Sequence, residues 1–219
     1  MPLSGKGMLI TLMDADPSEE RDFNQWYDKE HIIERVGIPG FLEARRYVAV
    51  AAHPKYLNFY TTETLDSLRS PAYLQALQNP TAWTRHHMAK FRNFTRAVAR
   101  VTSSRGRGRG GALAFSRIRP SGADKTELRN VVTAQLDAVL DRVISAHLLE
   151  SDPELSKPAD ASAPDIGSGD WYVVVEGTDE PTVRQLAEQR FGRHAKLPRA
   201  ETIAFGTYRL LWDLAKAEL

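Results

Sequence analysis

The sequence predicts an α+β protein in which one pattern, β-α-β-β-α-β, occurs twice in succession. Three observations carry this expectation. Short apolar or alternating runs, which read as strands, are interleaved with longer stretches of helical periodicity. The order of the two kinds is the same in each half of the chain. The halves meet at a polar stretch, SSRGRGRGG, that suits neither element. The 219 residues are enough for two units of about 100 residues each.

In the first half, residues 8–13 (MLITLM) form an apolar run bounded by Gly7 and Asp14, as expected of a strand buried on both faces. Asp16 is placed to cap a helix and Pro17 to occupy its first position, with acids following in the first turn. That helix is expected to run to about Arg35, because Gly37, Pro39 and Gly40 cannot continue it. Phe41–Ala51 alternates as a strand, and HPK turns the chain into a second strand, Tyr56–Thr62. Helical periodicity resumes over 65–77 and 81–89, and a strand over 91–101 closes the half.

The second half begins with a strand over 111–119. A helix follows over 124–143, with Leu128, Val131, Val132, Leu136, Val139 and Leu140 at helical spacing. Strands are expected over 144–150 and Trp171–Gly177, a helix over Glu180–Phe191, and a closing strand over 202–214. This order, twice over, is the pattern of two tandem ferredoxin-like units. The expected division is 1–103, an Arg/Gly linker at 104–110, and 111–219. Residues 151–170, rich in Pro, Ala, Ser and Asp, are expected to form a surface loop where the first half has a tight hairpin.

Bulk composition narrows the function classes. Lys and Arg total 29 against 28 Asp and Glu, so no general attraction to nucleic acid or membrane is expected. The Arg-Gly stretch has no interleaved aromatic residue and reads as a linker with solvated arginines, not as a single-strand binder. With no cysteine, disulfides and thiolate chemistry are excluded, which fits a cytoplasmic setting. No apolar run approaches the roughly 18 residues of a membrane span. The first residues lack a long apolar segment with a cleavage site and read as mature sequence. No G-x-S-x-G elbow or phosphate loop is present, and GRGRGG matches a dinucleotide fingerprint only in a polar segment that precedes a strand.

The most unusual stretch is FNQWYDKEHIIERVGIPGF, from Phe23 to Phe41. A regular helix advances about 100° per residue. On such a helix Tyr27, Glu30 and Glu34 fall on the same side as Phe23, with Trp26 and Ile33 along one flank. Glu30 and Glu34 then lie within the aromatic face, His31 at its margin, and Asp28 and Arg35 on the side toward water. A carboxylate among aromatic rings must be paired, hydrogen-bonded or protonated. The arginines on the strands are available partners. Glu30, His31 and Glu34 also have a spacing used by helical metal sites, and His86 and His87 could add imidazoles. The equivalent helix of the second half supplies no matching ligand, so no metal is expected.

The segment WYDKEHIIERVGIPGFLEARRYV resembles one found in the dimeric α/β-barrel superfamily, especially its EthD-like members. His31, Pro39, Gly40 and the following strand match that pattern in order. The resemblance implies that the two antiparallel sheets pair into one α/β barrel, within the chain or with a homodimer of barrels. It implies a cofactor-independent isomerase, cyclase, decarboxylase or oxygenase acting on a small aromatic or cyclic molecule, or a barrel that only binds a ligand or supports assembly. Some barrels of this superfamily bind haem, for which one histidine is poor evidence. The second half lacks the helical histidine and its Pro-Gly turn, leaving at most one complete site per chain.

Within that expectation His31 is the candidate general acid/base, because imidazole titrates near neutral pH. Glu30 would orient it or carry a proton itself. Trp26, Tyr27, Phe59 and Trp83 would wall an aromatic ligand, with His86 at the edge. Arg46 would hold a carboxylate or enolate, although alternation alone does not tell whether Arg45 or Arg46 faces the helices.

Overall fold

The computed structural model describes residues 3–157, 165 and 167–219. The strands are β1 (Gly7–Asp14), β2 (Phe41–Ala51), β3 (Tyr56–Thr62), β4 (Arg92–Gly106), β5 (Ala112–Pro120), β6 (Ser145–Ser151), β7 (Trp171–Gly177) and β8 (Ala200–Ala215). The helices are α1 (Glu20–Trp26), α2 (Ile32–Gly37), α3 (Pro71–Gln78), α4 (Ala82–Met88), α5 (Thr126–Asp137), α6 (Pro153–Ser156) and α7 (Glu180–Phe191). A single π turn, Tyr27–His31, joins α1 to α2 without a break.

The strands close into a barrel in the order β1-β3-β2-β8-β5-β7-β6-β4. Read by halves, this is the ferredoxin-like order twice: β4-β1-β3-β2 and β8-β5-β7-β6. Two antiparallel seams join the halves. In one, β2 meets β8 with Arg46 opposite Trp212; in the other, β4 meets β6 with Ser104 opposite His147. Closure leaves no sheet edge exposed. The chain thus has the expected α+β architecture of two ferredoxin-like units whose sheets pair into one barrel.

Alternation along the strands divides the apolar residues among three cores. Ile10 and Leu12 point into the barrel with Tyr47, Leu57, Phe59, Phe115 and Tyr172. Leu9 and Met13, on the opposite face of β1, pack beneath α1 and α2 with Phe23, Trp26 and Ile32. A third core lies between the second sheet and α5 and α7, built on Leu128, Val132, Val183 and Phe191. Apart from Thr11 the run MLITLM is therefore apolar, because both of its faces are covered.

Several boundaries differ from expectation. Asp16 caps a turn, accepting from the Ser18 amide at 3.0 Å, and the helix proper begins at Glu20. The second long helix ends at Asp137, six residues early, and 138–143 turn with Val139 still buried. β4 runs on to Gly106, so residues 104–106 of the expected linker are strand. Nor are the linker arginines simply solvated: Arg105 pairs with Asp137 at 2.6 Å, and Arg109 pairs with Glu43 and Asp213. Part of the expected loop at 151–170 is ordered, since Asp152 caps the short α6 and Ser156 accepts from the Val98 amide at 2.9 Å. Residues 158–164 and 166 of that loop lie outside the described residues. Gly40 has φ +84°, and a Cβ there would lie 2.5 Å from Ser67 Oγ, so the turn into β2 requires glycine.

Candidate functional site

The π turn sets the geometry of the first helix. It holds one more residue than an α turn, so each later residue takes the angular place of the one before it, a rotation of roughly 100°. Arg35 thereby takes the inward position expected for Glu34 and is buried, while Glu34 and Ile33 turn outward. The expectations that Arg35 faces water and that Glu34 sits among the rings are both corrected by this single turn. Asp28, also expected on the wet side, is half-buried and accepts from Arg46 at 2.9 Å and from the Trp212 indole at 2.7 Å.

His31 ends the π turn, partly buried against aromatic rings. Its ring centroid lies 4.4 Å from Trp26, 5.1 Å from Tyr27 and 6.3 Å from Tyr60. Its Nδ1 is buried and makes no hydrogen bond. Burial, reinforced by the charges of Arg35 and Arg46, holds the imidazole well below its ordinary pKa, so it is neutral. Around it lie further buried polar atoms without a hydrogen bond: Tyr60 Oη, Arg35 Nη1, Arg46 Nε and Asn58 Oδ1. Such a concentration is uncommon, because an unsatisfied buried group costs about 1–3 kcal/mol.

Arg46 is the arginine that faces the helices. Its guanidinium lies 4.4 Å from the Tyr27 ring centroid and 4.9 Å from that of Tyr56, and it donates to Asn24 at 2.6 Å. Arg45 points into the barrel, bound to Glu43 at 2.8 Å and Glu176 at 3.0 Å. Tyr27 accepts from Asn58 at 3.3 Å, and burial pushes its hydroxyl up to about 12. Burial also raises the Tyr60 hydroxyl well above its ordinary value, so both phenols stay protonated.

The remaining candidates are dispersed. Glu30 makes no arginine pair; it accepts from Thr81 at 2.6 Å, and Thr84, in weak contact with it at 3.5 Å, accepts from the Trp26 indole at 3.1 Å. Phe59 lies on the opposite face of β3, inside the barrel against Tyr47 and Phe115, because alternation turns Asn58 and Tyr60 toward the helix instead. It cannot share a pocket with His31. Trp83 sits at the rim, donating to Asp22 at 3.0 Å, and exposed His86 binds Glu19 at 2.8 Å. The structure thus brings Trp26, Tyr27, His31 and Arg46 together and leaves Phe59, Trp83 and His86 outside. Sequence reasoning missed Arg35, Asn58, Tyr60 and Trp212. The alternation of β3 could have supplied Asn58 and Tyr60; nothing local to the sequence marks the other two.

Hollows lie elsewhere. One of about 10 Å³ is bounded by Glu19, Phe23, His87 and Lys90. An open basin of about 350 Å³ lies by Arg119, Lys125 and Asp170. Neither is lined by His31.

No family model matches the chain, and no curated protein matches its sequence. Solved structures match its fold. An anthrone oxidase-like protein is similar over 99% of this chain and 96% of its own, at 9% identity and TM-score 0.69. A heme-binding protein from Thermus thermophilus is similar over 96% of this chain and 92% of its own, at 14% identity and TM-score 0.54. A chlorite dismutase mutant from Candidatus Nitrospira defluvii is similar over 95% and 92%, at 16% identity and TM-score 0.54. At these identities the likeness is one of architecture: the chain shares the barrel fold of anthrone oxidase-like and chlorite dismutase-like proteins.

Proposed function

We propose that the chain is a cofactor-independent, EthD-like enzyme that moves a proton on a small aromatic or cyclic organic molecule, with His31 as the base. The observation that carries this reading is the neutral, unpartnered Nδ1 of His31 inside a cage of rings and cations. A neutral imidazole can accept a proton from an acidic C–H beside a carbonyl. The enolate or phenolate left behind would be stabilised by the Arg35 and Arg46 charges and by the protonated Tyr27 and Tyr60 hydroxyls. The same carbanion is the starting point of isomerase, cyclase and oxygenase chemistry and is what a decarboxylase forms on losing CO2 and then protonates, and the architecture shared with an anthrone oxidase-like protein favours aromatic ketone substrates. Glu30 acts through Thr81 and Thr84, holding α4 against Trp26, rather than on a proton of the substrate. This reading takes 1–103 as the unit bearing the site, 111–219 as its degenerate partner, a cytoplasmic setting, and either a single-chain barrel or a homodimer of barrels.

Haem, named for one neighbour, does not fit the residues present. Trp26 and Tyr27 pack directly on the His31 ring, leaving no slot for a macrocycle. Beneath α5 and α7 the space is filled by packed apolar side chains, Leu128, Val132, Val183 and Phe191 among them, and His147 points into the barrel against Ser104 and Ser145.

The reading is tested by incubating the protein with anthrone and related cyclic ketones, following deuterium exchange at the acidic carbon and oxygen consumption. His31→Gln is expected to lower the rate by about 10²–10⁴-fold, the usual contribution of a general base. Equal rates for His31→Gln and wild type would remove His31 from the chemistry. A second reading, a non-catalytic ligand-binding or assembly barrel, is favoured by one observation: the hollows described above do not reach His31. It predicts no turnover of any ketone tested and no effect of His31→Gln beyond stability.

A further inference from the structure

A second group of metal-competent side chains lies outside the His31 cage. Glu19 precedes α1, Asp22 is in its first turn, and His86 and His87 are in the last turn of α4. One ligand atom each from Glu19, His86 and His87 lies within 4.8 Å of the other two. Some point is then within about 2.8 Å of all three atoms, against the roughly 2.0–2.2 Å of zinc–nitrogen and zinc–oxygen bonds. Closing that gap takes side-chain adjustments of under about 1 Å. Asp22 Oδ2 is 2.9 Å from His87 Nε2 but lies outside the three-ligand group, so it orients the His87 imidazole. The hollow of about 10 Å³ bounded by Glu19, His87 and Lys90 adjoins the group and is about the size of one water.

We propose that Glu19, His86 and His87, with water completing the coordination, form a binding site for one divalent transition metal of the zinc class, which fastens α4 to the start of α1. Two imidazoles and one carboxylate, with a water, are a donor set that zinc accepts in tetrahedral geometry, whereas magnesium and calcium prefer oxygen alone. Lys90 now serves as the local cation: its ammonium contacts Glu19 and lies 3.1 Å from His86 Nε2. Its side chain is part-exposed, so it can swing to water when a metal takes the carboxylate. Trp26 connects this place to the first site, since its ring centroid is 5.2 Å from His87 and 4.4 Å from His31. The proposal does not depend on His31 being catalytic.

The test is a titration of the full chain with Zn²⁺ against a chromophoric chelator, repeated with Co²⁺ to read the visible spectrum of a tetrahedral site. Wild type is expected to bind one ion with a tetrahedral cobalt spectrum. Glu19→Gln and His86→Gln, both on part-exposed or exposed side chains and so compatible with folding, should each weaken binding by about 10-fold or more. Lys90→Met should tighten it. Absence of binding by both wild type and Lys90→Met would overturn the proposal and leave Lys90 as the resident cation. Undiminished binding by a Glu19→Gln, His86→Gln double variant would also overturn it, placing the ion on other histidines.

Discussion

Asp28 on the π turn accepts a hydrogen bond at 2.7 Å from the indole of Trp212, a residue 184 positions later on β8. The same oxygen accepts from Arg46 at 2.9 Å. Through this one carboxylate the second half of the chain helps to hold the cation beside His31. Trp212→Phe keeps an aromatic ring but removes the donor, and is expected to destabilise the protein by about 1 kcal/mol. Asp28→Ala leaves the buried Arg46 with its hydrogen bond to Asn24 and its ring contacts but no paired charge; because the Asp28 side chain is 40% exposed, the expected loss is held to about 1–2 kcal/mol. Urea unfolding of the three proteins at a common m-value checks both figures. Equal midpoints would show that the seam does not support the site.

Inside the barrel, Arg45 of the first half binds Glu176 of the second at 3.0 Å, with both side chains 1% exposed. Removing one partner leaves a buried charge uncompensated. Arg45→Met alone is therefore expected to cost about 3–5 kcal/mol, much of which Arg45→Met combined with Glu176→Leu should recover. Glu43 and Arg109 keep part of the network in the double variant. A double-mutant cycle by thermal or urea unfolding reads the coupling directly. A double variant no more stable than Arg45→Met would contradict the assignment.

Acid should destabilise the fold below about pH 6.5. Burial lowers His147 from 6.5 to about 3, and His31 also lies well below its ordinary value. Each histidine stays neutral in the folded chain while the unfolded chain takes up a proton. Their stabilising contribution is full above 6.5 and is lost as pH falls toward the folded values. Between about pH 7.5 and 5.5 His147 should cost about 1.4 kcal/mol, and His31 adds a loss of the same sign. Glu176 has the opposite sign: burial raises its carboxyl, so the folded chain holds that proton more tightly. Comparing unfolding free energies of wild type and His147→Gln at the two pH values isolates the histidine. The variant should lose about 1.4 kcal/mol less than wild type; parallel losses would rule out a buried neutral His147 as the cause.

Much of the architecture was legible in the chain. The alternation of β2 and β3, the apolar run of β1 and the Gly-Pro-Gly exit from the first helix depend on local steric preference and on which side of each element meets water. Both are written in neighbouring residues. The candidate site was legible only in part. Trp26 and Tyr27 stand beside His31, with Arg46 against Tyr27, whereas Phe59 lies on the other face of its sheet. The α-helical wheel failed at Arg35 and Glu34 because it assumed a constant turn, and at Asp28 because Arg46 and Trp212 reach it from the sheet.

By itself, then, the sequence determined the order of elements, their apolar faces and the presence of one aromatic helix bearing a histidine. Only the tertiary structure decided where the extra residue of the π turn falls, which arginine lies under it, and that Trp212 reaches Asp28 across the β2–β8 seam. Those outcomes depend on packing between elements far apart in the chain: a rotation of roughly 100° is chosen by which side chains fill the space over the sheet, and no run of adjacent residues encodes that space.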